Sequence, residues 1–273
     1  MVTPLVVLSV AGTDSGGAAG LAADLATFAA LGVHGTCAVT AVTAQDTTGV
    51  HRVVPMGAGD VRAQIRAVLD DLPLAAAKTG MLGSAEVAHV VTDLLAGSLP
   101  LVVDPVLVAT SGAVLGDAAL VRAYREVLLP RADVVTPNRD EAAALTGLPR
   151  DTDPEELALT VHALGPAVVL TGGEPGGEPG GEPGSGTCRD MVVRDGVLTL
   201  LEHPAVETTN DHGTGCTYSA ALAVHLARGL DLEAAARHAQ AFVAEALAVS
   251  APWVLGRGRG PVAHVLTHPY KEN

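Results

Sequence analysis

Aromatic residues are nearly missing from this chain: Phe, Tyr and Trp make up 2% of its 273 residues. Any core must therefore be filled by Val, Leu and Ala, packed in number rather than by a few large rings. Cysteine is scarce as well. Cys37, Cys188 and Cys216 lie far apart, the count is odd and no C-x-x-C pair occurs. That pattern argues against a disulfide framework or a zinc site and suits a reducing compartment. Positive charge is the third shortage. Lys and Arg number 16 against 30 Asp and Glu, a formal net charge of −14. Polyanions are poor partners for such a surface, so neither nucleic acid nor an anionic membrane is expected. A small phosphate-bearing ligand is still compatible, because it needs only a local positive site. Long apolar runs are wanting too. "PLVVDPVLVA" is broken by Asp104 before it could span a bilayer. The opening "MVTPLVVLSVAGTDSGG" has neither the basic start nor the apolar length of a signal peptide. A cytoplasmic protein is expected.

Several nucleotide and hydrolase signatures are also missing. No G-x-x-x-x-G-K-[ST] occurs, and Lys78 in "AKTG" has no glycine loop ahead of it. "AGTDSGGAAG", residues 11–20, sits between a strand and a helix but lacks the G-x-G-x-x-G spacing. There is no G-x-S-x-G nucleophile elbow. The histidines are scattered, with no H-x-x-x-H, and read mostly as surface or capping groups.

What is present is an alternation of short aliphatic runs with longer Ala-rich segments. Strands are expected at 5–12, 36–42, 101–108, 133–137 and 167–172. Helices are expected at 21–32, 59–72, 85–97, 117–130, 139–147 and 154–164. Continuous aliphatic strands between amphipathic helices argue for an α/β fold, with parallel strands covered on both faces. Segments 189–195 and 197–203, parted by Gly196, read as a hairpin. Two helices close the chain, 214–228 and 232–249, the second begun by Asp231 as N-cap. The alternation continues on both sides of a low-complexity segment, "GGEPGGEPGGEPGSG" at 172–186, so residues 1–273 read as one domain with a flexible surface loop.

"NDHGTGCTYSAAL", residues 210–222, places Gly213, Thr214 and Gly215 where a helix is about to start. A helix start offers unpaired N–H groups and partial positive charge, and glycines let a ligand approach the backbone. The three residues read as an anion cradle. Cys216 follows on the first turn, where its pKa is expected to fall so that a thiolate can take a proton. A cradle beside a base is what phosphoryl transfer to an alcohol requires. The competing reading is a small-residue helix start with a buried structural cysteine. Asp24, the only charge in its helix, and Gln45 are either hydrogen-bonding groups for a polar ring edge or a solvated helix face and a loop residue. "TPNRDEA", residues 136–142, carries a capping-box pattern in Asn138 and Glu141. The same two residues offer hard oxygen ligands for Mg²⁺, directly or through water, with Asp104 near the same centre.

Taken together, the segments resemble the hydroxymethylpyrimidine/phosphomethylpyrimidine kinase family of thiamine biosynthesis, within the ribokinase-like superfamily. "AGTDSGGAAGLAADLATFAALGVHG", "TAVTAQDTTGV", "AKTGML", "VVDPVLVATSG", "LLPRADVVTPNRDEAAALTG", "NDHGTGCTYSAALA" and "GRGRGPVAH" follow the family's order from about residue 5 to 265. The resemblance implies a three-layer α/β/α sandwich with a mostly parallel central sheet, usually in a homodimer. It implies transfer of phosphate from ATP, with Mg²⁺, to 4-amino-5-hydroxymethyl-2-methylpyrimidine, and in many members a second transfer to the monophosphate. By the same match, Asp24 and Gln45 hold the aminopyrimidine edge, and Met81 and Val106 pack on the ring. Cys216 is the base; Gly213, Thr214 and Gly215 form the anion hole; Asn138 and Glu141 serve the Mg²⁺–phosphate centre. The chain departs from the family at four places on the phosphate path. Thr171 and Glu174 stand where lysine and histidine are usual, and Thr110 and Ala113 where lysine and aspartate are usual. These losses put the second, more highly charged phosphorylation in question. Pyridoxal kinase activity, or a pyrimidine-binding sensor without efficient transfer, are the alternatives.

Overall fold

The computed structural model of the chain describes residues 3–107, 115–172 and 186–264. Ten strands and eight α-helices are described: β1 (Val6–Ala11), α1 (Gly20–Ala30), β2 (His34–Val39), β3 (Ala41–Asp46), β4 (Gly49–Pro55), α2 (Ala58–Leu69), β5 (Leu74–Thr79), α3 (Ala85–Leu95), β6 (Leu101–Val103), α4 (Ala118–Ala123), β7 (Val134–Val135), α5 (Arg139–Thr146), α6 (Pro154–His162), β8 (Ala167–Leu170), β9 (Thr187–Arg194), β10 (Val197–Pro204), α7 (Thr214–Ala227) and α8 (Leu232–Ser250). Eight strands form one sheet in the order β10-β9-β8-β7-β6-β5-β1-β2. The run from β8 to β2 is parallel, and β9 and β10 extend it antiparallel.

Side-chain alternation explains the three layers. Successive strand residues point to opposite faces. Leu8, Ala77, Val103, Val135 and Val168 join α2 to α6 in one core. Their chain neighbours Val7, Ala76, Val102, Val134 and Val169 join α1, α7 and α8 in the other. Aliphatic residues at both parities are what a doubly covered parallel strand requires. The small residues of α7 let it lie deep in the second core, with every residue from Thr217 to His225 buried. A helix apolar on all sides is a buried helix.

The structure differs from the sequence expectation in four places. The strand expected over 101–108 ends at Val103, because Asp104 and Pro105 leave the ladder. β5 has no counterpart among the expected strands; its run of three alanines carries little β signal. Gln45 does not follow a strand but sits within β3, which pairs with β4 as a separate two-stranded antiparallel sheet. The helix expected over 117–130 changes winding, from α (118–123) through a π turn (124–128) to a 3₁₀ turn (129–131) at Pro130. The GGEP repeat with Glu174, and the positions Thr110 and Ala113, lie outside the described residues.

The site follows from the topology. The chain leaves β1 towards β2 on one side, while β5 to β8 are added on the other. In such open sheets ligands bind beyond the carboxyl ends of the strands, at the point where the order reverses. The residues following β1, β5, β6, β7 and β8 line one cavity of about 480 Å³, within the range of small-molecule sites.

Candidate active site

α7 begins at the cavity. Its N-cap, Gly213, has φ of 91° and makes no side-chain cap bond. A Cβ at this position would fall 1.8 Å from the Ala18 carbonyl oxygen, so only glycine lets the β1–α1 turn pack against the start of α7. Gly215 faces open space, with nothing within 4 Å of where a Cβ would be. Thr214 turns its hydroxyl back onto the Asp211 carbonyl at 2.6 Å, leaving the helix-start amides free of side-chain caps. Gly213, Thr214, Gly215 and Cys216 all line the cavity.

Cys216 departs from expectation. Its pKa is raised, not lowered: burial pushes the thiol up to about 12, Lys78 pulls it down, and Asp104 and Asp24 push it back. The helix-start effect acts within one turn and is outweighed by loss of water around the sulfur. The Gly20 N–H favours the ionised sulfur. Only glycine suits position 20, where φ is 57° and a Cβ would run into the Gly12 carbonyl oxygen.

Beneath the cavity lies a charge network that the sequence does not announce. Lys78 ends β5 fully buried, its ammonium 2.9 Å from Asp24 Oδ1 and 3.7 Å from Asp104 Oδ2. Burial pulls the Lys78 pKa down, but the Asp24 and Asp104 carboxylates beside it more than offset that and keep it above the ordinary lysine value. Ser9 donates to Asp24 at 2.5 Å, and Ser219 donates to Asp104 at 3.0 Å. Lys78 is thus no phosphate lysine, as the missing glycine loop implied, but it anchors the floor of the site. Asp24 is corrected by the same geometry. It is fully buried, its oxygens are taken by Ser9 and Lys78, and it does not line the cavity. Its contact with a ring edge is therefore replaced by a supporting contact with Lys78.

The other ring-binding candidates do converge. Gln45, Met81 and Val106 all line the cavity, together with Gly12, Thr13 and Thr43. Gln45 Nε2 lies 3.1 Å from His212 Nε2. His212, read in the sequence as a surface or capping group, is buried and lines the cavity. Asp14 was not singled out either. Its carboxylate accepts the N–H groups of Gly16, Ala18 and Ala19 at 2.8, 3.0 and 2.9 Å, and so shapes the β1–α1 turn.

At the opposite wall, Asn138 and Glu141 form a complete capping box. Asn138 Oδ1 accepts the Glu141 N–H at 2.9 Å and Glu141 Oε2 accepts the Asn138 N–H at 3.0 Å. The cap takes one lone pair of Asn138 Oδ1 and one of Glu141 Oε2 and does not use Glu141 Oε1, so it is compatible with an ion held directly or through water. Burial, then the Asp104 charge, raises Glu141 to about 8; burial likewise raises Asp104, against Lys78. Thr171, in the usual lysine's place, lines the cavity and bonds through its N–H to the Pro137 carbonyl. Among the described residues, no three His, Cys, Asp or Glu side chains converge to hold a metal ion.

An uncapped helix start, a cysteine on its first turn and buried carboxylates beyond parallel strands define a phosphotransferase of the ribokinase-like fold. The chain belongs to the phosphomethylpyrimidine kinase family, whose model matches residues 14–263. It is 44% identical over 264 residues to the hydroxymethylpyrimidine/phosphomethylpyrimidine kinase of Synechococcus elongatus, covering 95% of this chain and 97% of that one. It is 43% identical to the Streptomyces coelicolor enzyme of the same name, covering 96% and 95%. Among solved structures, a Staphylococcus aureus pyridoxal kinase in complex with pyridoxal superposes with a TM-score of 0.83 at 31% identity, covering 97% of this chain and 95% of that one. A Clostridium difficile phosphomethylpyrimidine kinase superposes with a TM-score of 0.73 at 30% identity, covering 89% and 99%. The protein is a kinase. No described helix is long and apolar enough to cross a membrane.

Proposed function

We propose that the chain transfers a phosphoryl group from ATP to the hydroxymethyl group of an aminopyrimidine, 4-amino-5-hydroxymethyl-2-methylpyrimidine, and that it acts as a homodimer. The observation that carries the reading is the uncapped, open start of α7 with Cys216 on its first turn, in the same cavity as Gln45, Met81 and Val106. The ring alcohol lies between Met81 and Val106 with its edge against Gln45. The amides of Gly213 and Gly215 meet the migrating phosphoryl group; the Thr214 N–H already donates to the Asp211 carbonyl at 3.2 Å, so Thr214 shapes the cradle rather than filling it. Cys216 takes the alcohol's proton. An ionised sulfur of such high proton affinity is a strong base, and the Gly20 N–H and Lys78 are the groups that favour that form. The exposed Val42 and Val54, paired across β3 and β4, put apolar surface on one face that suits a second copy.

The residues present fit ATP and Mg²⁺. The Thr136 hydroxyl is buried and without a partner among the described residues, and Thr136 lines the cavity; Asp104 and Glu141 add buried carboxyl groups to the same lining. Asn138, Glu141 and Asp104 would face the ion through water, which suits a cation that keeps much of its hydration shell. When bound, the ion offsets phosphate charge. With Thr171 in place of a cation, the first phosphorylation is the favoured reaction and the second is the weaker one.

A second reading, pyridoxal phosphorylation, is supported by the closer superposition on a pyridoxal kinase than on the Clostridium difficile enzyme. ADP release measured with the pyrimidine alcohol, its monophosphate and pyridoxal separates the readings. Turnover with the pyrimidine alcohol above the other two is expected. Preference for pyridoxal would replace the substrate, and no turnover with any of them would remove the kinase reading of the site.

A further inference from the structure

Three segments meet at His212: the β1–α1 turn at Asp14, strand β3 at Gln45, and the residues opening α7. The backbone of His212 is pinned from both sides, its N–H donating to the Gly260 carbonyl at 3.0 Å and its carbonyl accepting the Val262 N–H at 3.1 Å. Its ring is buried, with Nε2 3.1 Å from Gln45 Nε2 and 4.0 Å from Asp14 Oδ2. Gln45 is fixed as well: its N–H donates to Ser15 Oγ at 2.8 Å and its carbonyl accepts the Ser15 hydroxyl at 2.6 Å. Only the terminal amide of Gln45 retains a choice, between its NH₂ and its oxygen. In the tautomer with the ring proton on Nδ1, Nε2 accepts, and the NH₂ must then face His212. Among the described residues Gln45 Oε1 makes no hydrogen bond, and Gln45 lines the cavity.

We infer that His212 is a specificity-determining positioning residue, which holds the Gln45 amide so that Oε1 faces the ligand and the site selects a ring bearing a hydrogen-bond donor, such as an exocyclic amine, over one bearing an acceptor. The inference rests on the ring-alcohol reading above and deepens it. A ring with a carbonyl in place of the amine sets oxygen against oxygen, unless the amide turns over. Turning it over leaves two acceptors, Oε1 and Nε2, facing each other at the His212 contact. A site built around a buried hydrogen bond rejects the mismatched analogue strongly.

Calorimetric binding of the 4-amino ring alcohol and its 4-oxo analogue tests this. The unaltered chain is expected to prefer the amine by roughly tenfold or more. His212→Phe, which keeps a ring but removes the acceptor, is expected to bring the two affinities within about threefold, as the amide becomes free to turn. His212→Gln, which restores an acceptor, is expected to recover the preference. A purely structural role would weaken both ligands alike. Undiminished preference in His212→Phe overturns the inference. Failure of the unaltered chain to bind either ring overturns the ring-alcohol reading instead, and the ADP-release assay separates the two failures. Should His212→Phe not fold, the nitrogen–nitrogen scalar coupling across the Gln45–His212 hydrogen bond, read by NMR on the labelled unaltered chain, replaces it; absence of the coupling overturns the inference.

Discussion

Two helices begin beside one cavity, and they begin in opposite ways. α5 closes its own start, with Asn138 and Glu141 bonding each other's backbone N–H groups. α7 starts at a left-handed glycine with no side-chain cap. The unpaired amides of a helix start must be satisfied by something. In α5 the sequence supplies the partner, and the helix end serves stability. In α7 the sequence supplies no side-chain partner, which is the feature the proposed phosphoryl cradle rests on. Position at the carboxyl edge of the sheet therefore does not decide how a helix start is satisfied: α1 also begins without a bond from its N-cap side chain, and there the Asp14 carboxylate takes the N–H groups of Ala18 and Ala19.

Gly213→Ala is expected to break the contrast most severely. It forces a side chain into the left-handed region and onto the Ala18 carbonyl. Turnover should fall by about 100-fold or more, as it does when catalytic groups shift by an ångström. Stability should drop by roughly 1–3 kcal/mol, measured by urea unfolding. Near-normal turnover would mean that the shape of this start is unimportant.

The far end of α7 offers a smaller effect. His225 is buried there, stacked on His238 with centroids 4.9 Å apart. Burial, then Arg228, then His238, lower it from 6.5 to about 4. It is neutral in the fold and charged in the unfolded chain between those values. Its contribution is thus present above pH 6.5 and lost as pH falls towards about 4. His225→Leu should remove about 2 kcal/mol of that acid sensitivity, leaving a flatter stability profile from pH 6.5 to 4. An unchanged profile would place the sensitivity elsewhere. The smallest effect is expected at α5, where Asn138→Ala should cost about 1 kcal/mol of stability by chemical denaturation. Lost turnover with no loss of stability would show that the cap is not what Asn138 is for.

The sequence made the layers legible because aliphatic runs and amphipathic helices have distinct periods. It also exposed the α7 start, since two glycines flanking a threonine before a helix have few other uses. The β3–β4 sheet was harder to see, because "TCAVTAV" reads as one strand over 36–42 and nothing marks the change of sheet at Thr40. Lys78 was hidden for another reason. A single lysine in an alanine-rich strand announces neither its burial nor its partners, and Asp24 lies 54 residues away in the chain. Its pairing is a property of the sheet order, not of local pattern. The same holds for His212 and Gln45, which are 167 residues apart. The direction of the Cys216 shift was misjudged because the helix start is visible in the sequence while the burial around the sulfur is not.

Cys216→Ala gives the most direct test, read as turnover and as pyrimidine affinity in one preparation. Turnover is expected to fall by roughly 10²–10⁴-fold with affinity within a few-fold of the parent. The parent's rate should rise with pH as the sulfur ionises towards about 12, and the variant should lose that rise. Turnover unchanged in the variant, or an alkaline rise that survives it, would contradict the assignment of Cys216 as the group that receives the proton.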